Sequence, residues 1–592
     1  MYVRCVLLFL LILLSSLTGG RSYNMQPQQQ EDKDSIRYKA EVTRIDKSFD
    51  PDVIRLIGNV SFTHDSVTMY CDSAHLNESK QYIDAWSNIR IVRERGSEVI
   101  TGTFLKYDGN IKLAEIWESV EAWNNDAKLN TEQLFYNMAD EIIYYTVPGR
   151  IVHGTDTIVS QQGKYFTLDK FVWFQGNVHV NNEKYEMFTD TLNYDTQSTL
   201  SEFFGPSTLS RLIEKDTIKS EGGWFHTQDS IAFFYNNVDA WSGSYRLTCD
   251  SLLYSNKDST GYARMNVTLV DTTQHFSGSG DYVRFRQVPE SIMLTDRAMV
   301  MYYDGPDTLY LHGDTIRSNM VNHNIPRTRM VPVIKEVLPD TLNIPDISEI
   351  LPDTLDMPAV AAIPPDTLGV PAVAAIPDTL SVPLFREEVM PDSIIQVRLL
   401  RSYGRVKFYR TDIQGVCDSL VFSFGDSIAK MLGKPILWSD LQQATSDSMR
   451  FYFEGGHLSK SEFFKNAIMA MQDDTDALYF NQIRGGKITG FFNDSAHLVK
   501  LQATIDASSF YLPKDNNIII GGNKAGSDTI TIFMEEQKAD KVRFTQGGEG
   551  VLLPFQDIKK SKQDKLEGFF WFMKQRPRKP SDIFEWIPEE SD

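Results

Sequence analysis

A short phrase that recurs along the chain limits its fold more than any other feature. Cys-Asp-Ser begins at Cys71, Cys249 and Cys417, inside a wider pattern such as TMYCDSAHL at 68–76 and NDSAHLVKL at 493–501. Equivalent positions are separated by roughly 30 residues, which is a period typical of stacked repeat architectures. Each unit of such a stack buries its hydrophobic face against its neighbours, so the sequence predicts a repetitive fold.

The repeated units read as β-strands. SEVITGTFLKYDG at 97–109 and KFVWFQGNVHVNN at 170–182 are rich in Val, Ile, Thr, Tyr and Phe, and parts of them alternate apolar and polar residues. Turn signals separate them, including Asp-Gly-Asn at 108–110 and Pro-Gly at 148–149. Few windows show a helical period. The sequence therefore predicts an all-β stack of roughly 30-residue units.

The repeats fall into two blocks, which we place at 36–320 and 394–556. Between them, residues 326–393 form a Pro-Asp-Thr-Leu-rich segment in which the phrase begins at Pro339, Pro352, Pro365 and Pro377. Proline removes backbone donors and interrupts strand pairing, so we expect a disordered spacer. Its two interpretations are a tolerated insertion, which we favour, and a peptide ligand for a partner.

Two terminal segments differ from the repeats. Residues 1–22 combine Arg4, an apolar run and small residues, the pattern of a secretory signal peptide, with an uncleaved membrane anchor as the alternative. Residues 557–592 form a basic and aromatic tail around Phe569-Phe570-Trp571-Phe572. This tail suits either a partner or membrane-surface contact or a cap for the last open strand.

The charge balance and the cysteines exclude several functions. A formal net charge of -20 argues against nucleic-acid binding, because phosphate contacts need Lys and Arg. Since Cys71, Cys249 and Cys417 share one repeat position, we expect free, buried thiols and not a disulfide. No CxxC or HxxxH spacing indicates a metal site.

The sequence shows no recognised catalytic motif, and we expect neither enzymatic activity nor a cofactor. His153 and His312 each precede an Asp-Thr pair, which suits either a His/Asp site or, as we favour, a turn contact. The repeated aspartates, such as Asp72 and Asp250, suit either calcium ligands or caps of backbone bends, and capping is the simpler interpretation.

Three stretches carry a resemblance to a known family. They are LIGNVSFTHDSVTMYCDSAHLN at 56–77, WFQGNVHVNNEKYEMFTDTLNYD at 173–195 and CDSLLYSNKDSTGYARMNVTLVD at 249–271. In the first two, Gly-Asn-Val opens a strand and an aspartate motif follows. The chain resembles the OstA-like family, the periplasmic lipopolysaccharide-transport proteins of the LptA type, across both blocks.

The resemblance implies a β-jellyroll folded like a taco shell, with two facing sheets and an apolar groove between them. It implies a non-enzymatic periplasmic bridge, associated with the cell envelope membranes, that shelters lipopolysaccharide acyl chains on the way to the outer membrane. The implied partners are lipopolysaccharide or a related glycolipid and other envelope transport proteins, which would dock through end-to-end β-strand stacking. Self-association through the same contact is a further expectation.

Alternate strand positions would line the groove, and ordinary core packing is the competing role for each of them. The residues that we expect to face inward are Val60, Phe62, Met69, Leu76, Ile89, Ile91, Phe104, Ile116, Phe135, Ile143, Phe171, Trp173, Val178, Leu192 and Leu252.

Two other functions remain open at this level. The first is a secreted β-solenoid that binds or cleaves polysaccharide, with Trp86, Trp123 and Trp241 stacking on sugars. The second is a structural cell-envelope assembly protein in which the spacer and tail make the contacts. A dry, closed interior would favour a solenoid, and an open apolar interior would favour a lipid carrier.

Overall fold

The computed structural model describes residues 36–587 except 46–50, 65–66, 94–97, 125–126, 214, 227, 274, 305–306, 333–384, 475, 517, 536–537 and 562–563. The predicted signal peptide at 1–22 and most of the predicted spacer lie outside the described residues. Contacts divide the chain into two units, Met1–Val321 with Arg398–Asp592, and Asn322–Val397. Within the second unit, the side-chain amide of Gln396 donates a hydrogen bond to Asn322 Oδ1.

Nearly all of the described chain is β-strand. The first strands are β1 (Arg37–Lys39), β2 (Val42–Ile45), β3 (Val53–His64), β4 (Val67–Asn77), β5 (Tyr82–Arg93), β6 (Glu98–Asp108), β7 (Leu113–Asn124), β8 (Ala127–Asn137), β9 (Ile142–Tyr145), β10 (Gly149–His153), β11 (Asp156–Ser160), β12 (Gln162–Phe166), β13 (Phe171–Asn181) and β14 (Tyr185–Asp195). They are followed by β15 (Leu200–Arg211), β16 (Asp216–His226), β17 (Ile231–Ser242), β18 (Tyr245–Ser255), β19 (Thr260–Asp271), β20 (Phe276–Arg286), β21 (Ser291–Thr295), β22 (Met299–Asp304), β23 (Asp307–His312) and β24 (Thr315–Pro332).

The strands resume after residue 384. They are β25 (Phe385–Tyr409), β26 (Gln414–Ser423), β27 (Ile428–Leu432), β28 (Ile436–Ser439), β29 (Gln442–Thr445), β30 (Ser448–Glu454), β31 (His457–Gln472), β32 (Phe480–Phe492), β33 (Leu498–Tyr511), β34 (Lys514–Asp515), β35 (Ile518–Ile519), β36 (Gly521–Glu535), β37 (Lys538–Thr545) and β38 (Glu549–Pro554). One helix, α1 (Phe555–Ser561), and a 3-10 turn at Pro580–Phe584 complete the described elements.

Successive strands pair antiparallel in a meander. β3 pairs with β4, β4 with β5, β5 with β6 and β6 with β7, and the same order continues through the later strands. Each unit of about 30 residues therefore adds two strand layers, or roughly 10 Å, to the sheet. The predicted all-β fold of repeated strand units is confirmed.

Every second strand layer contains a corner, and in all of these layers except β9 with β10 one or both of two adjacent corner residues adopt a left-handed backbone. The ladder register shifts at these points, as it does between Ile57 and Val60, which is how a β-bulge bends a strand. Glycine and asparagine tolerate this conformation best, and the Gly-Asn pairs of the sequence form two of the corners. These left-handed corners lie at 58–59, 87–88, 118–119, 176–177, 205, 236–237, 265–266, 296–297, 404–405, 433–434, 465–466, 505–506 and 546–547.

We call the layers that carry these corners corner strands and the layers between them straight strands. The corners divide the sheet into two half-sheets. In a corner strand, the residues before the corner belong to the first half-sheet and the residues after it belong to the second. A residue of a straight strand belongs to the same half-sheet as its register partner in the adjacent corner strand. Phe62 and Met69 of the second half-sheet line the same pocket as Ile83 and Leu105 of the first. The sheet is therefore folded along its corners, and its two halves enclose an apolar interior.

The two sequence blocks form one continuous sheet. Leu311 of β23 pairs with Phe408 of β25, and Tyr310 pairs with Tyr409. A single buried cluster extends from Ile158 through these strands to Ile530. In the sequence the spacer follows β24 and precedes β25, and its flanks at 326–332 and 385–393 belong to these two strands.

The tail packs on the outer surface of the second half-sheet. Leu566 and Phe569 are buried there against β31–β33, while Phe570 is exposed. The last strand layer, β37 with β38, remains exposed along its length. Among the described residues, no helix combines the length and apolarity needed to cross a bilayer.

Candidate functional site

The three repeated cysteines lie in a row of small buried residues beside the corners. Cys71 pairs with Val60, Cys249 with Val238 and Cys417 with Val406. Glycine, serine or threonine takes this position in other straight strands, where the register partners are Ile89 with Gly102, Val120 with Thr131, Val178 with Thr189, Ser207 with Ser220, Val267 with Gly280, Ala467 with Gly485 and Ala507 with Ser527.

Small residues are needed in this row because the two half-sheets converge at the corner line. A Cβ atom on Gly102 would lie 2.5 Å from Ile116 Cγ2. The cysteines are buried and free, as predicted, and no disulfide joins them. Burial, reinforced by the neighbouring aspartate, raises the pKa of each thiol to about 12, so these cysteines are packing residues and not nucleophiles.

The repeated acids face the corners of the adjoining strands. Asp72 Oδ2 accepts hydrogen bonds of 2.6 Å from Ser87 Oγ and Asn88 Nδ2. Asp281 makes a bidentate pair with Arg297, at 2.8 and 2.7 Å, and the hydrogen bonds from this guanidinium hold the carboxyl pKa below its usual range. The acids therefore stabilise left-handed corners by binding side chains of the next strand, and these two do not cap backbone amides nearby in the chain as the sequence predicts.

The two His/Asp pairs singled out in the sequence lie at separate places in the fold. His153 and Asp156 are register partners at one hairpin end, whereas His312 lies in a different hairpin with its Nδ1 2.6 Å from the carbonyl oxygen of Ala298. Burial raises the pKa of Asp156 and lowers that of His312. No group of three or more His, Cys, Asp or Glu side chains within the described residues has a metal-binding arrangement.

Most of the predicted groove residues face the interior. Those in the described core or packed against it are Val60, Phe62, Met69, Leu76, Ile89, Ile91, Ile116, Ile143, Val178, Leu192 and Leu252. They come from strands between β3 and β18 and from both half-sheets, so the fold brings them to one side of the folded sheet. Contact of these residues with a lipid stays a prediction.

Phe104, Phe135, Phe171 and Trp173 lie on the outer face instead. Phe104 is exposed and stacks on Trp117 at 5.5 Å, and Phe135 stacks on Tyr144 at 4.9 Å. Along a straight strand, every second side chain points inward, but this alternation shifts by one residue where the strand passes the corner line. An unbroken alternation from Ile100 would bury Phe104, whereas β6 buries Leu105 and Tyr107.

The other two outward residues have a simpler cause. β13 keeps one phase throughout, burying Val172, Phe174 and Val178. Phe171 and Trp173 have the opposite parity, and Trp173 instead lies under the Lys164 ammonium at 5.1 Å. These four residues are therefore not part of the enclosed apolar surface.

The interior is open along the side opposite the corners. From β10 to β26, many inward apolar side chains near the hairpin turns are half-buried, whereas in β3 and β4 those near the turns, such as Ile54, Phe62 and Leu76, are buried. The half-buried set includes Ile151, Val180, Met187, Leu209, Ile218 and Leu269 on the second half-sheet, and Tyr165, Phe225, Phe285, Ile292, Leu400 and Leu420 on the first. A row of large apolar groups therefore borders solvent along this open side, which we call the mouth.

A cavity lies in the apolar interior near the beginning of the chain. Its volume is about 50 Å³, and its wall is almost entirely apolar. It is lined by Ile36, Phe62, Val67, Met69, Ile83, Ile91, Leu105, Tyr107, Ala114 and Met138. Three of the predicted groove residues, Phe62, Met69 and Ile91, belong to this wall.

The sequence of this region matches a known family. Residues 33–190 match the OstA-like protein family. This stretch is an OstA-like domain. The resemblance inferred from the sequence is thereby confirmed for this part of the chain. No curated protein matches the chain.

The OstA-like domain contains both the cavity and the first strands of the stack, from β1 into β14. The family is one of lipid transport and binding and not of enzymes. The strands after residue 190 repeat the same corner geometry, so the architecture of the OstA-like domain continues beyond the matched residues.

The three tryptophans considered for sugar stacking do not form one platform. Trp86 packs edge-on against His75 on the first half-sheet, at 4.8 Å. Trp123 and Trp241 lie on the second half-sheet, where Lys128 and Arg246 cover their rings at 5.2 and 4.6 Å. Each ring is therefore used in a local cross-strand contact.

Sequence reasoning missed the side chains that hold the tail. Gln414, Gln443 and Gln482 are buried on the outer face of the second half-sheet, and each contacts the tail. A recognisable signal existed, because each glutamine stands three residues before the small residue of its straight strand, at Cys417, Ser446 and Gly485.

Proposed function

We propose that this chain shelters the acyl chains of lipopolysaccharide or a related glycolipid between its half-sheets while the lipid moves between membranes. The observation that carries the proposal is the apolar interior, formed by one buried cluster from Ile54 to Tyr145 and a second from Ile158 to Ile530, with large side chains that border solvent along the mouth. The OstA-like domain at the start of the stack supports the same assignment. In this account the protein is a non-enzymatic periplasmic bridge, exported by the segment at 1–22.

The energetic need for such a surface is large. Exposing one methylene group to water costs about 0.8 kcal/mol, so a 14-carbon acyl chain costs on the order of 10 kcal/mol. An inward-facing apolar wall removes this cost, while the mouth leaves a polar headgroup in water. The half-buried residues at the mouth would exchange contact with water for contact with the chain.

Binding a whole acyl chain requires the half-sheets to separate. The cavity of about 50 Å³ has room for only a few water-sized groups. The corners are the natural hinge, because small residues line them and because the hydrogen bonds between adjacent strands lie within each half-sheet, on either side of the corner line. Separation about this line would widen the mouth without breaking the strand ladder.

The two ends of the stack suit end-to-end contacts. The first layer is a straight strand, β1 with β2, and the last is a corner strand, β37 with β38. Each pairs with one neighbour, and apolar residues such as Val42, Ile45 and Leu552 are exposed there. If the last layer of one copy paired with the first layer of another copy, corner strands and straight strands would continue to alternate across the contact. Other envelope transport proteins of this fold would dock in the same way.

The test is a binding comparison between inward and outward substitutions. Purified chain carrying Phe62→Asp is compared with chain carrying Phe104→Asp, using lipopolysaccharide micelles and a sedimentation or native mass-spectrometry readout. A charge at buried Phe62 should reduce binding at least tenfold, by analogy with the cost of an unpaired buried charge, while Phe104→Asp should retain it. Equal binding by both variants, each folded by circular dichroism, contradicts the proposal.

A further inference from the structure

The tail forms a strap across the second block, and its contacts follow the repeat of the sheet. We define the strap as residues 564–587. Gln482 donates to the carbonyl oxygen of Asp564 at 2.7 Å and accepts from the amide of Leu566 at 2.9 Å. Gln443 repeats this arrangement six residues further along, donating to Phe570 at 2.7 Å and accepting from Phe572 at 2.8 Å.

A third contact keeps the same spacing. Arg576, six residues after Phe570, donates from Nε to Gln414 Oε1 at 2.8 Å. The three glutamines stand on successive straight strands, β32, β29 and β26, which are about 10 Å apart. The strap thus advances six residues for every two strand layers.

Apolar contacts accompany the glutamines. Leu566 joins Phe510 and Leu512, Phe569 joins Ile468 and Phe480, and Phe572 packs on Val416, Ile436 and Trp438. The strap ends at the junction between the blocks, where the ring of Phe584 lies 4.8 Å from His312 and the Lys407 ammonium contacts the carbonyl oxygen of Glu585. It therefore ties together the strands from β23 to β33 on one face.

The first block does not have the residues that would hold a strap. The glutamine position, three residues before the small residue of each straight strand, is occupied from β4 to β23 by Thr68, Val99, Lys128, Thr157, Glu186, Thr217, Arg246, Ser277 and Tyr310. Several of these side chains are engaged elsewhere: Lys128 pairs with Glu121, and Arg246 pairs with Asp239. The outer face of the second half-sheet is thus tied in one block and untied in the other.

Resting on the proposed function, we propose that the strap locks the second block closed, so that acyl chains are held in the first block alone. An acyl chain spans only a few strand layers, so its entry needs a local separation of the half-sheets. Local movement is possible where each hairpin can shift alone. It is prevented where a strap makes several strands of one half-sheet move as a single body.

The experiment uses the full chain and a tetradecanoic acid that carries a photoreactive diazirine. Crosslinked peptides are mapped by mass spectrometry for the native protein, for the double variant Gln443→Ala/Gln482→Ala, and for the control Gln502→Ala. Gln502 lies on β33 of the same block, where it pairs with Thr489 and Thr531 on the first half-sheet, away from the strap.

The native protein and the control should carry label in 36–320 at a yield about tenfold above that in 398–556. The double variant should raise labelling of 398–556 by about tenfold, to the level of 36–320, because each of the two lost amide pairs shifts the opening equilibrium by on the order of tenfold and both losses together remove the difference between the blocks. Labelling of 36–320 should not change. Hydrogen exchange at Leu566 and Phe572 should accelerate, which shows that the strap has been released.

The outcomes separate the two proposals. Equal labelling of both blocks in the native protein overturns the lock and leaves the lipid function standing. The lock is also overturned if the second block of the double variant stays unlabelled although its strap amides exchange rapidly. Absence of label from both blocks contradicts the proposed function itself. If the double variant unfolds the second block, the single variant Gln443→Ala, which removes only the middle contact, provides the same comparison.

Discussion

Replacing Cys249 by alanine tests the conclusion that the repeated cysteines are packing residues. The side chain is 5% exposed and faces Val238, which is 1% exposed. Removing one buried atom of methylene size costs about 0.8 kcal/mol of transfer free energy. A residual cavity of about 25 Å³ adds roughly 0.6 kcal/mol, so the free energy of unfolding should fall by about 1–1.5 kcal/mol.

Leucine at the same position should be worse than alanine. The corner line accepts only small residues, and overpacking of a filled core typically costs 1–3 kcal/mol. Urea unfolding, followed together with hydrogen exchange of β17–β19, measures both variants, because a repeat array need not unfold in one step. A loss above about 3 kcal/mol for alanine, or a leucine variant as stable as alanine, would refute the reasoning.

Thiol reactivity provides a second assay of the same claim. Burial, with the charge of Asp250 adding to it, raises the pKa of Cys249 to about 12, so almost no thiolate exists at pH 8. Iodoacetamide should modify none of Cys71, Cys249 and Cys417 in the folded protein and all three in urea. Rapid modification of any of them before unfolding would show that the row is accessible.

Three further predictions follow from individual contacts. Gly102→Val should lower stability by about 1–3 kcal/mol, measured by urea unfolding, because its Cβ would lie 2.5 Å from Ile116. Burial disfavours the Glu462 carboxylate, but hydrogen bonds from Lys460, Lys487 and Tyr452 outweigh this effect and lower the carboxyl pKa from 4.5 to about 2. The contribution of Glu462 to the free energy of unfolding should therefore be complete above pH 4.5 and decline toward pH 2. The acid titration of stability of the Glu462→Gln variant should lack this contribution. Phe569→Ala should release the strap in hydrogen exchange whereas Phe570→Ala should not, since the two side chains are 7% and 57% exposed; equal effects would contradict the assigned packing.

The repeat and the strand content could be predicted because both are local properties of the sequence. Alternation and turn residues mark strands, and the recurring Cys-Asp-Ser phrase marks one position beside the corner. The roles of two residues in this phrase also follow from their chemistry. The cysteine is small enough to fit where the half-sheets converge, and the aspartate binds the corner of the neighbouring strand. What the pattern does not contain is the change of inward phase at Thr103, which placed Phe104 on the wrong side.

The continuity of the stack and the strap depend on contacts between distant segments. Pairing of Leu311 with Phe408 joins residues separated by the whole spacer, and no local pattern specifies it. The strap is similar, since Gln443 binds Phe570 from 127 positions away. Aromatic and basic composition at 557–592 indicated a docking segment, but only the fold shows that its partner is the chain's own outer surface.

The most direct test of the enclosed apolar interior is a residue-by-residue photocrosslinking scan along β6 in living cells. A photoreactive amino acid replaces each position from Val99 to Tyr107 in turn, and lipid adducts are detected with an antibody to lipopolysaccharide. The account predicts adducts at Ile100, Leu105 and Tyr107 and none at Thr101, Phe104 or Lys106, with the pattern changing phase at Thr103. Adducts that follow the opposite phase, or that appear equally on both faces, would contradict it.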